Sequence, residues 1–463
     1  MIADYGVPAD SGQDTALAYV ASAAAGRADV LRAVDHWVYV IGAELDASLT
    51  TRIVDSDHDM VVIDVVTTVR GSEGFPLAST VQTLKQRPGS AGDAGADDRL
   101  VLAYIDIGQA EDYRTYWQDG WGIGNPDWIT ALDPDGWEGN FPVAYWTEAW
   151  QDIWVRPGGY LDRIVDAGFD GVYLDWVEGY SDENVAAAAA AAGVDPVQAM
   201  VDWVGTIGDH LRARDDDLLV IGQNAADLLV MSDYRAAIDG IAQEHVWYDG
   251  GADNEPPGDC PLPRTHADVD THAYFNALSP ACQAVYLAYP YGPLHVSSEY
   301  YLERLAVADA HGIPVFTIDY ATEPDTIRWI ADTARALGYT PFVTTRNVDV
   351  FQDVVERSDA GDGNTPGSDL ADVPLPPPGV DPLTWAFDAA WYLAAERDVA
   401  AAGVDPFGHY MAYGWREGRD PAPWFDSDAY LTAYPDVAAA GLNPFLHFVQ
   451  WGYTEGRDPA PDF

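Results

Sequence analysis

Eight short, continuously apolar runs recur along the chain before residue 350, most of them separated by stretches of helical spacing. They fall at 36–42 (HWVYVIG), 59–66, 100–108 (LVLAYIDIG), 172–175 (VYLD), 217–222 (DLLVIG), 238–245 (IDGIAQEH), 314–319 (PVFTID) and 340–344. Runs that do not alternate with polar residues belong to strands covered on both faces, as in a parallel sheet wrapped by helices. The segment ahead of the fourth run shows the unit most clearly. YLDRIVDA (160–167) places Leu161, Ile164 and Val165 on one helical face, and Gly168 suits a helix C-cap. Phe169-Asp170-Gly171 then leads into the strand, which leaves Asp175 at its carboxyl end.

Carboxylates stand near the ends of five runs: Asp64, Asp106, Asp175, Glu244 and Asp319. A doubly wound sheet that bound nucleotide would need a glycine-rich phosphate loop after its first strand, and none is present. The expected fold class is therefore α/β, a (β/α)8 TIM barrel whose strand ends carry the chemistry.

The rest of the chain reads as additions to that barrel. Residues 1–33 form an Ala-rich extension with one helical stretch near 14–25, and the barrel spans 34–354. Residues 355–384 are an Asp/Gly/Pro-rich linker. Residues 385–463 hold two copies of a 38-residue unit: Phe387-Asp388 returns as Phe425-Asp426, His409 as His447, and Glu417-Gly418-Arg419-Asp420-Pro421 as Glu455-Gly456-Arg457-Asp458-Pro459. Each unit reads as two short helices around a turn, making a small all-helical appendage. His409 and His447 are expected to be hydrogen-bonded packing residues rather than metal ligands.

Charge excludes some partners. The chain has 75 acids against 23 bases and a net charge of −52, spread along its length. Such a surface is a poor match for nucleic acid, whose binding requires cations against phosphates. It accommodates a neutral or cationic substrate, surface Ca²⁺, or a salty medium that screens self-repulsion. No run is long and apolar enough to span a membrane, and the opening MIADYGVPADSGQD does not read as a signal peptide. Cys260 and Cys282 flank a long loop; a stapling disulfide in an exported protein is favoured over two free thiols.

Cleavage of a glycosidic bond needs two carboxyl groups facing one another, one protonated and one ionised. Asp175 and Glu244, at the ends of the fourth and sixth strands, meet that requirement. Asp175 in a polar setting should stay ionised and act as nucleophile. Glu244, followed by His245-Val246-Trp247-Tyr248, should have its pKa raised by apolar neighbours and act as acid/base. Asp64, Asp106 and Asp319 then orient sugar hydroxyls or an amino group, or else three of them hold Ca²⁺ or Mg²⁺. The aromatic stretch 117–150 reads as a groove wall for sugar rings. Substrate contacts are expected from Tyr104, Glu111, Tyr145, Trp146, Trp176, Glu178, Asn224, Trp247, Tyr248 and Tyr320. No cofactor is required by this chemistry.

Several motifs in one order strengthen the reading: VVID (61–64), LAYIDIGQAEDYR (102–114), AGFDGVYLD (167–175), GIAQEHVWY (240–248) and VFTIDYA (315–321). Together they resemble the endo-α-1,4-polygalactosaminidase-like family, glycoside hydrolase family 114, over roughly 34–350. The resemblance implies a (β/α)8 barrel acting on α-1,4-linked galactosamine polymers, with Asp175 at the nucleophile position and Glu244 at the acid/base position. Against the family pattern, 249–282 stands as an insertion over the cleft. The C-terminal units resemble repeats appended to secreted and surface proteins of bacteria, which implies export and a contact with another protein or the cell surface. The alternatives are a non-catalytic carbohydrate-binding protein on a TIM barrel and an interaction module built on the repeats.

Overall fold

The structure is a computed structural model. It describes residues 26–87, 99–134, 136–249, 259–346, 348 and 351, and towards the C-terminus 387, 389–402, 404, 406–422, 424–440, 442–449, 457, 459 and 460. The helix expected at 14–25, the loop at 88–98 and the whole linker at 355–384 lie outside these residues.

Eight strands form one parallel sheet in sequential order: β1 (Trp37–Val40), β2 (Met60–Asp64), β3 (Leu100–Asp106), β4 (Gly171–Asp175), β5 (Leu219–Gln223), β6 (Gly240–Glu244), β7 (Val315–Tyr320) and β8 (Thr340–Thr344). The sheet curls until its ends meet. Trp37 Nε1 of β1 donates to the Thr340 carbonyl of β8 at 3.1 Å, and Thr340 Oγ1 donates to Val34 O at 3.2 Å. This is a (β/α)8 TIM barrel. Each predicted strand appears within about two residues of its expected limits.

Burial on both faces explains the unbroken apolar runs: Val38, Val61, Val62, Leu102, Val172, Leu174 and Ile318 are all fully enclosed. Inside the barrel the filling is unusually aromatic. The Trp37 ring lies 5.4 Å from Phe316, 5.6 Å from Phe342 and 6.1 Å from Tyr173, and Tyr39 packs 5.1 Å from Tyr173 and 6.0 Å from Tyr104. These rings make a solid floor beneath the carboxyl ends of the strands.

The helix before β4 forms as its sequence requires. Tyr160–Ala167 buries Leu161 and Ile164 and ends at Gly168, whose φ of 86° closes a left-handed C-cap. Gly171 opens β4 because the neighbouring strand leaves no room: a Cβ there would stand 2.2 Å from the Leu219 carbonyl oxygen.

The segment after β6 is more structured than the expected loop. Tyr248–Asp249 pairs antiparallel with Cys260–Pro261, and two helices follow, His272–Ala277 and Pro280–Ala288, capped by Thr271 and Ser279. Cys260 and Cys282 are joined by a disulfide and sit with Leu262, Leu278, Val285 and Leu294 in a small core of their own.

The chain divides into two compact units, 1–354 and 355–463. In the second, the helices Ala389–Ala395, Arg397–Ala402 and Pro406–Ala412 recur as Ser427–Ala433, Pro435–Ala440 and Pro444–His447. Among the described residues, each unit holds three short α-helices where two helices were expected. Pro435 shows why in the second copy: a proline cannot continue the preceding helix, so a new one starts there. Tyr392 meets His409 Nδ1 at 3.0 Å, and the equivalent Tyr430 meets His447 Nδ1 at 3.0 Å. Both histidines thus pack as hydrogen-bonded partners of buried tyrosines.

Candidate active site

The carboxyl ends of the barrel strands open into a cavity of about 890 Å³. Asp175 and Glu244 lie together in its wall, with Asp64, Tyr104, Trp176, Glu178, Asn224 and Tyr320 among the residues expected from sequence. One side chain that sequence reasoning passed over joins the pair. Gln223, the last residue of β5, lies between them, and its Nε2 donates to Asp175 Oδ1 at 3.0 Å and to Glu244 Oε2 at 2.9 Å. The two facing oxygens can be no further apart than those two bonds laid end to end.

Three consecutive strands end in the same backbone device. Trp176, Asn224 and His245 directly follow β4, β5 and β6, and all adopt left-handed φ values, 57°, 62° and 56°. Non-glycine residues enter this region at a cost of about 1–3 kcal/mol, and such strain gathers at functional sites. Here the sharp turn folds the chain back onto its own or the neighbouring strand end. The Trp176 amide donates to Asp175 Oδ1 at 2.8 Å, and Asn224 Nδ2 donates to Glu244 Oε2 at 2.7 Å while its Oδ1 accepts from the Glu244 amide at 3.0 Å. Gly108, past β3, lets the neighbouring loop come close; a Cβ there would meet the Trp176 carbonyl at 2.3 Å.

The two carboxylates have different surroundings. Asp175 accepts from the Tyr104 hydroxyl at 2.6 Å, but burial and the facing Glu244 charge push its carboxyl up to about 7. Burial acts on Glu244 too. There Arg346 and His245, with hydrogen bonds from Tyr320 and Asn224, outweigh it and hold the carboxyl below the usual glutamate range. This reverses the sequence expectation for the unliganded site. The expectation weighs Val246, Trp247 and Tyr248 and passes over His245 itself, while Arg346, Tyr320 and Asn224 reach Glu244 only through the fold.

Arg346, just beyond β8, donates to His245 Nε2 at 3.0 Å, and His245 Nδ1 stands 3.2 Å from Asp249 Oδ1. Neither Arg346 nor His245 was foreseen. The traces in the sequence were a histidine directly after Glu244 and an arginine two residues past the last strand. Glu178 lines the cavity as well, its carboxyl raised by burial and by Asp175, with Oε1 3.2 Å from Asn224 Nδ2.

Other expected contacts lie behind the cavity wall. Arg114 binds Asp64 at 2.6 Å and both oxygens of Glu111 at 2.7 and 3.0 Å, so Glu111 is consumed in a buried ion pair and Asp64 reaches the cavity as one half of another. Asp106 is 1% exposed and accepts from the Gly108 and Gln109 amides, holding the turn after β3. Tyr145 is anchored to the Pro196 carbonyl at 2.7 Å and Trp146 packs on it, their rings 5.1 Å apart. Asp319 accepts from the Trp247 and Tyr248 amides at 2.7 and 2.8 Å, while the two rings pack on Trp329. Among the described residues, no three of His, Cys, Asp and Glu converge in a metal-holding arrangement. Asp64, Asp106 and Asp319 are committed to separate partners and do not form the cage considered as a rival.

The aromatic stretch 117–150 is also mostly interior. Trp117, Trp121, Trp128, Trp150 and Trp154 pack ring against ring in a continuous row, edge to face except for the tilted Trp128–Trp150 pair, with Trp128 and Trp150 buried. Of the tryptophans in that stretch, Trp137 alone lines the cavity.

Burial pushes Asp319 up to about 7, and its Oδ2 has no hydrogen-bond partner. An unfolded aspartate titrates near 4, so the folded chain binds this proton more tightly. The resulting stability is present at pH 4 and is lost as pH rises towards 7. Asp319→Asn keeps an acceptor for the two amides and cannot ionise. Thermal unfolding should therefore shift in the variant's favour, relative to the parent, as pH is raised from 5 to 8. An equal gap at both values would exclude a buried charge at this position.

Among the described residues, no helix is long and apolar enough to cross a membrane. An uncharacterized protein of Deinococcus radiodurans is 34% identical over 322 residues, covering 69% of this chain and 83% of that protein. Another, from Thermotoga maritima, is 37% identical over 219 residues, covering 46% of this chain and 60% of its own length. Similar solved structures include the glycoside hydrolase domain of PelA from Pseudomonas aeruginosa, at 14% identity over 69% of this chain and 97% of that one, with a TM-score of 0.43. Ega3 of Aspergillus fumigatus in complex with galactosamine is 17% identical over 68% and 92%, with a TM-score of 0.42. The family model that matches residues 20–360 covers the whole described barrel and the carboxylate pair within it, and by that match the chain belongs to glycoside hydrolase family GH114.

Proposed function

We propose that this glycoside hydrolase cleaves α-1,4-linked galactosamine-containing polysaccharide within the chain and with retention of configuration. The observation that carries the reading is the single Gln223 amide bonded to both carboxylates. It keeps the facing oxygens below the roughly 6.5–9.5 Å spacing at which a water fits between an inverting pair. Asp175 attacks the anomeric carbon as Glu244 gives its proton to the departing glycosidic oxygen. Water then enters; Glu244 takes a proton from it, and the hydroxyl displaces Asp175 from the sugar. No metal or cofactor is needed.

The resting pair holds its proton towards Asp175, so binding must favour the other arrangement. An ammonium group on the substrate does this where it lies nearer Asp175 than Glu244, because the closer cation stabilises ionised Asp175 more. A cationic polymer also suits a chain of net charge −52, which draws it in from solution. The resemblance of the C-terminal units to repeats of secreted bacterial proteins supports a place outside the cell, where such a polymer is met.

The test is release of reducing oligomers from partly deacetylated α-1,4-galactosaminan, with the Asp175→Asn/Glu244→Gln double variant as control. Oligomers from the parent alone support the reading. Cleavage of a neutral glycan in preference would replace the polymer. Binding without release from any glycan would make this a carbohydrate-binding barrel.

A further inference from the structure

Two aromatic side chains stand on separate walls of the cavity with a ring open to solvent. Trp137, from the loop between β3 and β4, is 40% exposed; Tyr291, from the segment between β6 and β7, is 97% exposed. An exposed aromatic on a mobile loop would mean little. Both of these, however, rest on braced backbone.

The Trp137 amide donates to Asp133 Oδ1 at 2.9 Å, and Asp133 Oδ2 accepts from Gln109 Nε2 at 2.6 Å, which ties the loop to the exit of β3. On its far side, Asn140 Nδ2 donates to Gln109 Oε1 at 3.1 Å. Tyr291 sits in a turn closed by the Gly292 amide on the Tyr289 carbonyl at 3.0 Å. That turn follows the helix stapled by Cys282 and precedes His295, which is bonded to Asp270 at 2.7 Å and to the Tyr286 carbonyl at 3.0 Å. The fold thus braces the backbone beneath each ring without covering the ring.

We infer that Trp137 and Tyr291 are stacking platforms for pyranose rings on either side of the bond being cleaved. The inference rests on the glycoside hydrolase reading and extends it to distal parts of the substrate. Sugar rings carry apolar C–H faces that lie flat on aromatic rings, a contact suited to rigid aromatics with an open face. β3 and β6 are separated in the barrel by β4 and β5, the strands that carry Asp175 and Gln223. Glu244 ends β6 itself, so a chain resting on both platforms passes over the strand ends that carry the pair. A volume of about 890 Å³ lies near the upper end for small-ligand pockets and leaves room for more than the ring being cleaved. Such a cleft engages the interior of a polymer, as endo-cleavage requires.

The experiment compares Trp137→Ala, Tyr291→Ala and the conservative Trp137→Phe and Tyr291→Phe. Binding of galactosaminan oligomers from two to eight rings is measured by calorimetry in the Asp175→Asn/Glu244→Gln background. Affinity in the unsubstituted background should climb with length. The alanine variants should lose more as length increases, by roughly 5–20-fold per platform at eight rings, and the phenylalanine variants should retain most of it. A loss equal at every length, or none at eight rings, overturns the platforms while leaving the hydrolase reading intact. If galactosaminan does not bind at all, the polymer assignment fails. The same series on the glycan the parent does cleave then decides the platforms by the same criterion.

Discussion

Glu244→Gln should lower kcat/KM on the polymer by about 10²–10⁴-fold, the usual worth of a positioned general acid. On an aryl glycoside whose leaving group departs without a proton, the same variant should lose far less in forming the glycosyl-enzyme. Asp175→Asn should lose activity on both, because without its carboxylate no covalent intermediate forms. The resting electrostatics make this comparison decisive. In the free site burial and Glu244 raise Asp175 to about 7, while Arg346 and His245 lower Glu244. If that resting arrangement set the roles in the reaction, the pattern would invert, with Asp175→Asn tolerated on aryl substrates and Glu244→Gln not. The pair must also keep one proton to work. A carboxyl holds its proton below its pKa, so kcat/KM of the parent should fall as pH rises through about 7. Stopped assays with both substrates between pH 5 and 8.5 read both effects.

Gly171→Ala should cost about 3 kcal/mol or more, enough to deplete the folded barrel. The added methyl would sit 2.2 Å from the Leu219 carbonyl oxygen and 2.7 Å from the Leu219 nitrogen and carbon. All three are backbone atoms of β5, and Leu219 is the register partner of Gly171. Relief therefore requires β4 and β5 to part, unlike a clash with a side-chain tip that can turn away. Because β4 ends in Asp175 and β5 in Gln223, any folded remainder should also have a loosened pair and reduced kcat. Gly205→Ala is the control. Gly205 lies inside the helix Pro196–Arg212 with open space around its α-carbon, so alanine should stabilise by about 0.5–1 kcal/mol. Denaturant melts of the three proteins test the contrast; a near-neutral Gly171→Ala would mean the barrel seam yields where its backbone packing shows no slack.

The sequence by itself determined the barrel, most of its strand limits and the two strand-end acids that face one another. Each of these is written locally. A continuous apolar run marks a strand covered on both faces, a glycine such as Gly168 marks a helix end, and Asp175 or Glu244 at the run's edge marks the mouth. What surrounds those acids was decided only by the tertiary structure. Arg346 lies about a hundred residues from Glu244 in sequence, yet together with His245 and the hydrogen bonds from Tyr320 and Asn224 it outweighs the burial that would raise the carboxyl. Asp106 and Asp175 are register partners at adjacent strand ends, but one closes a turn and the other enters the cavity. In the tryptophan-rich stretch, composition could not separate the buried row from Trp137. Coulomb interactions and hydrogen bonds depend on distance in space, and a side chain's facing depends on what packs against it; neither is encoded in the local periodicity that reveals the fold.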